Sequence, residues 1–427
     1  MDQTNLSVES IGNDFRLALS KGLIREEDTL VMFHDLSFLE QRICYLKSVF
    51  PATTIHAIAI KANPLIHILE SLNSWGTGAE VASVPELNIA LKSGFPSNKI
   101  VFDSPVKTWQ DLTYALAAGV HINIDSLAEI ERIAILKQKT VSSGTLGIRI
   151  NPQVGTGTIL ESSVAGEYSK FGIPIKSRKK EIMDAFLKHQ WITGIHLHVG
   201  SQGCPMELLL DGIRILYELV NEINEKRQHI GIEPVTLFDI GGGFPVSYRN
   251  DQTPLLMEDY AEAIASHFPR LFSTDFSLIT EFGRWVYVNA GWTVSRVEYV
   301  KHDPGINTAM IHAGADLFLR ECLNPESWPH EYSVFDKTGK LKSGKDLNPY
   351  NLAGPLCFSG DILAKNVVLP VVEEGDYLVI HDTGGYTFSM WSRYNSRQAP
   401  RIIGYSGDRF TVLKERESLA DIEKFWK

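Results

Sequence analysis

The chain has 427 residues, of which 44% are hydrophobic and 22% are charged, a composition typical of a globular protein with room for two domains. Its formal net charge is -10 and it contains no block of basic residues, which argues against nucleic acid and anionic membranes as partners. No run of about 18 apolar residues occurs, so no membrane span is expected.

The cysteines and the N-terminus bear on the compartment. Cys44, Cys204, Cys322 and Cys357 are far apart in the sequence and form no CxxC pair. This spacing favours a reducing compartment and argues against a zinc ribbon or a disulfide framework. Residues 1–4 begin neither a basic nor an apolar segment, so no secretory signal is expected. We therefore expect a cytoplasmic protein without a metal site.

The chain begins with a mixed segment of 35 residues that contains one predicted strand, at residues 28–35. From residue 36 to residue 285, short apolar runs alternate with helical patterns. The strands predicted in this region lie at residues 55–60, 79–82, 99–102, 120–124, 145–150, 192–198, 235–240 and 277–281.

The helical patterns between these strands carry start and stop signals. Gly76, Gly94 and Gly119 follow three of them at the position of a helix C-cap. Pro85 stands in the first turn of another. Eight strands alternating with helices over about 240 residues indicate an α/β fold of the (β/α)8 TIM barrel type. An open, doubly wound parallel sheet is the alternative.

The pattern changes after residue 285, where short strand-like runs follow one another with turn residues between them and almost no helix. The polar stretch 325–350 is predicted to be a loop, with a hairpin as the alternative at residues 337–340. We therefore expect a barrel over residues 36–285 and a β-rich second domain built from residues 1–35 and 286–427.

One lysine stands at the end of the first predicted barrel strand. The sequence around it reads HAIAIKANP, which places Lys61 at or just past the C-terminal end of a short buried strand. An amine carried out of an apolar strand is poorly solvated, which lowers its pKa and makes it available for a Schiff base. The alternative is a structural lysine that reaches solvent.

Other polar residues follow later barrel strands, and active sites of this fold lie at the C-terminal ends of the strands. An amine, an imidazole, a hydroxyl, three glycines and a Glu/Arg pair are thus expected on one face. These residues are Lys61, His198, Ser201, Gly241, Gly242, Gly243, Glu281 and Arg284.

These groups suit a phosphorylated aromatic aldehyde. The triple glycine lets backbone N–H groups approach a phosphate, and Arg284 and Ser201 can donate to the same phosphate. Glu281 can keep a ring nitrogen protonated, and His198 can lie against the ring. A phosphate, a pyridinium and an aldehyde together describe pyridoxal 5'-phosphate.

Nine motifs in chain order resemble those of the ornithine/diaminopimelate/arginine decarboxylase family, and most closely its diaminopimelate decarboxylase-like members. They are HAIAIKANP, EVASVPEL, LGIRINP, SKFGIP, HLHVGSQ, FDIGGGFP, EFGRWVYVNAG, GPLCFSGD and GGYTFSMWSRYNSR. The resemblance implies fold type III, with an alanine racemase-like barrel, a C-terminal all-β domain, pyridoxal phosphate and the decarboxylation of an amino acid.

The resemblance also implies roles for single residues. Lys61 matches the Schiff-base lysine, and Cys357 matches a proton donor that the family takes from the partner subunit of a homodimer with shared active sites. Lys170 and Asp361 match a pair that bridges the subunits. The cofactor contacts implied are Lys61, His198, Ser201, Gly241, Gly242, Gly243, Glu281, Gly283, Arg284 and Tyr386, and the substrate contacts are Arg284, Arg320, Phe358 and Tyr386.

Two positions depart from the family pattern at the distal end of the substrate. The residue after the active-site cysteine is Glu or Asp in the family, where it binds the distal amino group, and here it is Phe358. A family tyrosine is replaced by Asn324. These changes favour a substrate other than meso-diaminopimelate.

Two other functions fit the same scaffold. A racemase would retain the carboxylate and would need a second acid/base residue facing Lys61. A non-catalytic pyridoxal phosphate-binding protein would need neither residues 290–427 nor the Cys357 motif. The presence of both Lys61 and Cys357 favours the decarboxylase.

Overall fold

The structure, a computed structural model, describes residues 5–249 and 251–427, so the expectation about residues 1–4 lies outside it. The strands are β1 (Leu30–Asp35), β2 (Ile55–Ala59), β3 (Gly78–Val81), β4 (Ile100–Asp103), β5 (His121–Ile124), β6 (Leu146–Asn151), β7 (Ile173–Pro174), β8 (Ile192–His196), β9 (Leu237–Asp239), β10 (Ser277–Thr280), β11 (Gly291–Asp303), β12 (Ile306–Ile311), β13 (Tyr332–Phe335), β14 (Leu347–Ala353), β15 (Ile362–Pro370), β16 (Tyr377–Ile380), β17 (Arg401–Ser406) and β18 (Arg409–Lys414). The helices are α1 (Val8–Ser20), α2 (Leu36–Val49), α3 (Ile66–Ser74), α4 (Val84–Lys92), α5 (Trp109–Ala118), α6 (Leu127–Lys137), α7 (Ile175–Lys188), α8 (Met206–His229), α9 (Met257–His267), α10 (Gly283–Tyr287), α11 (Leu319–Leu323) and α12 (Leu419–Trp426).

The chain forms two compact units. The first comprises Glu40–Val246 and Pro254–Val286, and the second comprises the residues up to Leu39, Ser247–Thr253 and Tyr287–Lys427. In neither unit does a helix of the described residues combine the length and the apolar character needed to cross a bilayer.

The first unit is a closed parallel barrel. Its strands pair in the order β2, β3, β4, β5, β6, β8, β9 and β10, and β10 pairs in parallel with β2, where Ile279 lies opposite Ile55. Most residues of these strands are buried, as expected for strands covered on both faces. The predicted TIM barrel is confirmed, and the closing pair excludes the open doubly wound sheet.

The helix signals in the sequence also have their expected geometry. Helix α4 begins after Ser83, whose hydroxyl accepts a hydrogen bond from the Glu86 N–H, and a proline stands in its first turn. Gly76, Gly94 and Gly119 adopt φ values of 78°, 87° and 71°, the left-handed conformation that ends a helix.

The second unit is built on a mostly antiparallel sheet. Seven of its strands follow the order β15, β14, β12, β11, β1, β17 and β18, while β16 pairs with both β11 and β13. Its core holds Phe33 stacked on Trp292, with ring centroids 4.1 Å apart. Phe15 meets the edges of Trp292 and Phe335. The predicted C-terminal β-rich fold is thus confirmed.

The strand predicted at residues 28–35 is present as β1, but one helix of this unit was not predicted and one local expectation is wrong. The opening segment forms helix α1, because Ile11, Phe15 and Ala18 share one face that is buried in the core. Strand β13 lies inside the predicted loop 325–350. Its apolar content is only Val334 and Phe335, which are buried where β13 pairs with β16, and two apolar residues are too short a pattern to predict a strand.

Candidate active site

Lys61 lies where the first barrel strand ends. Strand β2 stops at Ala59, and Lys61 is in the middle of a single 3-10 turn that follows directly. Its side chain keeps 37% of its surface exposed. The amine donates to both carboxylate oxygens of Glu80, at 2.8 and 2.7 Å. A buried strand thus delivers an accessible amine to the C-terminal face of the barrel.

Glu80 is a partner that the sequence reasoning missed. It belongs to β3, where it pairs in register with Ala59, and it is completely buried. Burial raises the pKa of Glu80 to about 7, although Lys61 beside it acts in the opposite direction. The available signal was an acidic residue between the apolar Ala79 and Val81 of a buried strand.

His198 follows β8 and is a neutral imidazole in this setting. Its Nδ1 accepts a hydrogen bond of 3.1 Å from the Gly242 N–H, so that nitrogen carries no proton. Burial, with Arg149 and Lys61 nearby, holds the pKa of His198 well below its usual value. The 3.9 Å distance from Nδ1 to Glu281 Oε2 is therefore not an ion pair.

The triple glycine after β9 forms a turn that only glycine allows. Gly241 and Gly243 adopt φ values of 66° and 95°. A Cβ on Gly242 would collide with the Glu281 carbonyl, and one on Gly243 with the Gly200 carbonyl. The absence of side chains lets the turn pack directly against the neighbouring strand ends, where the N–H groups of Gly241 and Gly242 donate to Asp239 and His198.

Glu281, directly after β10, is a buried carboxylate that lacks a donor. Both of its oxygens are buried without a hydrogen-bond partner among the described residues. Burial raises the pKa of Glu281 well above its usual value, and the Asp239 carboxylate raises it further. An orphaned buried acceptor of this kind is costly unless a ligand supplies the missing N–H.

Ser201 and Arg284 meet beside the glycine turn. Arg284 donates to the Ser201 hydroxyl from Nε at 3.1 Å and from Nη2 at 3.0 Å. Gly283 brings the start of α10 against the turn that carries Lys61, since a Cβ there would lie 2.8 Å from that of Ala59. The structure therefore brings all the predicted barrel residues to one end of the barrel.

A buried charge network next to Glu281 was also missed. Arg149 donates to Asp103 at 2.7 Å, and His196 Nδ1 lies 3.1 Å from an oxygen of Asp239. Burial alone would lower the pKa of His196, but the carboxylates of Asp239, Glu281 and Asp103 raise it well above its usual value. Asp103, His196 and Glu281 have their ligand atoms within 4.8 Å of one another. Two of these three groups already have partners in the network, since Asp103 pairs with Arg149 and His196 lies beside Asp239.

In the second unit, Arg320 and Tyr386 lie together. Arg320 Nη2 donates to the Tyr386 carbonyl at 2.9 Å, and its guanidinium lies 4.2 Å from the centre of the Trp328 ring. Tyr386 has a φ of 57°, a left-handed conformation that a bulky residue rarely adopts and that often marks functional positions. Asn324 ends α11 and accepts a bond from the Ser327 N–H.

Cys357 and Phe358 lie on the exposed loop between β14 and β15. Phe358 is 41% exposed, and its ring lies over Gly360, where a Cβ would collide with it. Asp361 is buried and accepts from the backbone N–H groups of Leu356 and Ala315, at 2.7 and 2.6 Å. In this chain Asp361 therefore holds the cysteine loop in place.

The barrel residues fit pyridoxal phosphate on three separate grounds. Glu281 needs an N–H donor that a pyridinium nitrogen can supply, Ser201 and Arg284 offer a hydroxyl and a guanidinium to a phosphate, and Lys61 offers an amine to an aldehyde. A family model described as "Pyridoxal-dependent decarboxylase, pyridoxal binding domain" matches residues 36–288. The chain belongs to this family. The predicted family, cofactor and reaction class, a carboxy-lyase, are thereby confirmed.

Relatives of this pyridoxal-dependent decarboxylase include the "Diaminopimelate decarboxylase" of Pseudomonas fluorescens, 33% identical over 367 residues, which are 85% of this chain and 84% of the relative. The protein of the same name from Helicobacter pylori strain J99 is 30% identical over 407 residues, 94% of this chain and 96% of the relative.

Solved structures of decarboxylases have the same fold as this chain. The diaminopimelate decarboxylase of H. pylori, complexed with L-lysine, matches with a TM-score of 0.83 at 27% identity and covers 95% of this chain and 99% of that one. The lysine/ornithine decarboxylase of Vibrio vulnificus, complexed with putrescine, matches with a TM-score of 0.76 at 21% identity over 94% and 99% of the two chains, which shows the fold alone.

Proposed function

We propose that this enzyme removes the α-carboxylate of an amino acid whose distal end carries no free ammonium, or one paired by a side chain other than residue 358. The observation that carries the decarboxylase proposal is the Lys61 amine, on a side chain that is 37% exposed, at the same barrel end as the Glu281 carboxylate, which has no hydrogen-bond partner among the described residues. The observation that bears on the substrate is Phe358, which stands after the cysteine where the family pattern has Glu or Asp.

Each of the barrel residues would contact a different part of the cofactor. When bound, pyridoxal phosphate supplies a ring that withdraws the electrons of the breaking carbon–carboxylate bond. Glu281 would share a proton with the ring nitrogen, and its raised pKa makes it a good partner for a proton in a buried site. Ser201 and Arg284, which lie together beside the glycine turn, would hold the phosphate, and the uncharged His198 would contact the ring without competing for Glu281.

Glu80 is the proton acceptor for Lys61. The amine must lose a proton before it can attack an aldehyde, and the Glu80 carboxylate already lies 2.7 Å from it. With its pKa of about 7, Glu80 becomes able to take this proton only as the pH rises through neutrality.

We therefore expect covalent loading of the apo-protein with pyridoxal phosphate to accelerate roughly tenfold from pH 6 to pH 8, the range over which a group with a pKa of about 7 ionises. In Glu80→Gln this inflection should disappear. Stopped-flow absorbance on the two apo-proteins measures it. Glu70→Gln, which changes an exposed carboxylate on α3, should keep the wild-type profile, and an unchanged profile in Glu80→Gln would remove Glu80 from this role.

Cys357 is the proposed proton donor to the product carbon, because a thiol carries a proton that it can transfer to a carbanion within hydrogen-bond reach. We expect it to act across a homodimer, as the family resemblance implies, with Lys170 and Asp361 at the subunit boundary. The exposure of Cys357 supports this, because a thiol that acts in a neighbouring chain must lie at the surface of its own. The four cysteines are all unpaired, which supports the cytoplasm as the compartment.

The shared site has a quantitative test. Lys61→Ala and Cys357→Ala should each be nearly inactive, and equal mixing after subunit dissociation should restore about a quarter of the wild-type activity. Half of the random dimers are mixed, and each mixed dimer has one intact site of two. Activity of the mixture at different ratios measures it; no recovery, with subunit exchange verified by a tagged chain, would contradict a site built from two chains.

The reaction itself is tested by supplying single amino acids and measuring carbon dioxide release together with optical rotation. A decarboxylase releases carbon dioxide in proportion to substrate lost. A racemase on the same scaffold would lose optical rotation without releasing carbon dioxide, and a non-catalytic cofactor-binding protein would do neither.

A further inference from the structure

The closing sequence motif SRYNSR, residues 392–397, holds the peptide unit of Cys357 from both sides. Asn395 Oδ1 accepts a hydrogen bond of 2.8 Å from the Cys357 N–H. The Tyr394 hydroxyl donates to the Cys357 carbonyl at 3.0 Å. Two consecutive side chains thus bind the backbone of one residue, which lies 37 positions before Tyr394 and 38 before Asn395.

The motif is itself anchored at both ends. Arg393 forms a two-pronged ion pair with Glu417, at 3.0 and 2.9 Å, and both side chains are largely buried. Arg397 donates to the buried Asp316 at 2.7 Å. These contacts fix the ends of the turn that carries Tyr394 and Asn395, so the two contacts to Cys357 start from a rigid base.

The backbone of the motif is strained where it meets the cysteine. Asn395 and Ser396 adopt φ values of 55° and 53°, a left-handed conformation that asparagine tolerates better than most residues. Such strain is retained where the surrounding contacts determine it, which is common at functional positions. Here the strained conformation directs the Asn395 amide toward the Cys357 N–H.

The opposite side of the cysteine loop is held as well. Asp361 accepts from Leu356 N–H, one residue before Cys357, and its carbonyl accepts from Gly354 N–H at 2.9 Å. The Cys357 backbone is therefore fixed from two directions although the residue is exposed. This combination is unusual for an exposed loop, whose backbone usually bonds to water.

We infer that Tyr394 and Asn395 are positioning residues that fix the direction in which Cys357 presents its thiol. The inference rests on the proposed role of Cys357 as proton donor. A proton donor works only within hydrogen-bond reach of the receiving atom, and small misplacements of a reacting group reduce the rate strongly. A donor on a loop needs its backbone fixed, because a thiol on a single Cβ has little else to orient it.

The first test measures the hydrogen bonds from Tyr394 and Asn395 to Cys357 directly and does not depend on enzyme activity. Asn395→Gly removes the amide but keeps the left-handed backbone accessible, and Tyr394→Phe removes only the hydroxyl. Residue-resolved hydrogen exchange of the holoenzyme should show Cys357 N–H exchange about threefold to tenfold faster in Asn395→Gly, the loss expected from one neutral hydrogen bond. Ser396→Gly, a matched change at the next left-handed position, should leave it unchanged. Equal exchange in Asn395→Gly and wild type would overturn the inference.

The second test separates positioning from general damage. In Asn395→Gly and Tyr394→Phe we expect kcat to fall about 5–50-fold with KM unchanged within about twofold, because only the proton transfer is impaired. In a Cys357→Ala background the same substitutions should have no further effect on kcat. An equal further loss in that background would show that they act elsewhere. If the wild type releases no carbon dioxide while the exchange result is as expected, the decarboxylase proposal is wrong, but the hydrogen bonds from Tyr394 and Asn395 to Cys357 are confirmed.

Discussion

Lys61→Ala is expected to lose both the absorption band of the bound cofactor and turnover, the latter by at least about 10³-fold. Lys61 is the amine at the strand end where the other cofactor groups meet, and its Nζ is held by the buried Glu80. Purified protein is compared with the variant by absorption spectroscopy after reconstitution with pyridoxal phosphate, and by carbon dioxide release.

Two further variants make this result specific. Lys99→Ala removes a half-buried lysine that precedes β4, at the opposite end of the barrel strands, and should keep the spectrum. Lys61→Ala also leaves Glu80 buried without its ammonium partner, so Lys61→Ala with Glu80→Gln removes both charges and separates chemistry from folding. A wild-type spectrum in the folded double variant would mean that another lysine holds the cofactor.

Much of the barrel and of its strand-end residues was predictable from local patterns. Parallel strands buried on both faces appear in a sequence as short apolar runs, and glycines such as Gly119 mark the helix ends between them. Once the strands are placed, the fold brings their C-terminal ends together. Lys61, His198 and Glu281 could therefore be grouped from residues far apart in the chain.

The missed residues share a physical cause. Glu80, His196 and Asp239 lie inside strands, and which of them point into the barrel depends on register between neighbouring strands. A pattern of apolar residues does not specify that register. The function of a buried carboxylate also depends on the group it contacts, which for Glu80 is Lys61. Contacts between residues that are distant in the sequence cannot be predicted before the pairing of the strands is known.

The second unit was less predictable because its elements are short and its contacts are long-range. Strand β13 offers two buried apolar residues. Asn395 and Tyr394 could be recognised as part of a family motif, but their contact with Cys357 depends on the path of the chain between β15 and β17. Asp361 was expected at a subunit boundary, and the structure adds an internal contact to the cysteine loop that no sequence pattern indicates.

Phe358→Glu is expected to raise kcat/KM for meso-diaminopimelate by about 10²–10³-fold over a weak or absent wild-type rate. A buried distal ammonium needs a carboxylate partner, and loss of one partner of a buried ion pair costs about 3–5 kcal/mol, which corresponds to that factor in rate. Phe358 offers only its ring, and a cation–π contact returns about 0.5–2 kcal/mol. The ring is 41% exposed on the cysteine loop of the single chain, so a shorter acidic side chain fits there without repacking a core, and the buried-pair cost applies to the site that substrate and the proposed partner subunit cover.

The comparison that decides this prediction keeps side-chain shape constant and changes charge alone. Phe358→Gln matches Phe358→Glu in length but offers no negative charge, so it should leave diaminopimelate a poor substrate, and neutral or acylated amino acids should remain the better substrates of both wild type and Phe358→Gln. Lysine and ornithine, which also end in an ammonium, should improve with Phe358→Glu in the same direction as diaminopimelate, because the new carboxylate acts on charge. Efficient wild-type turnover of diaminopimelate that Phe358→Glu does not improve would show that another side chain binds the distal ammonium, and Phe358 would then have no part in the choice of substrate.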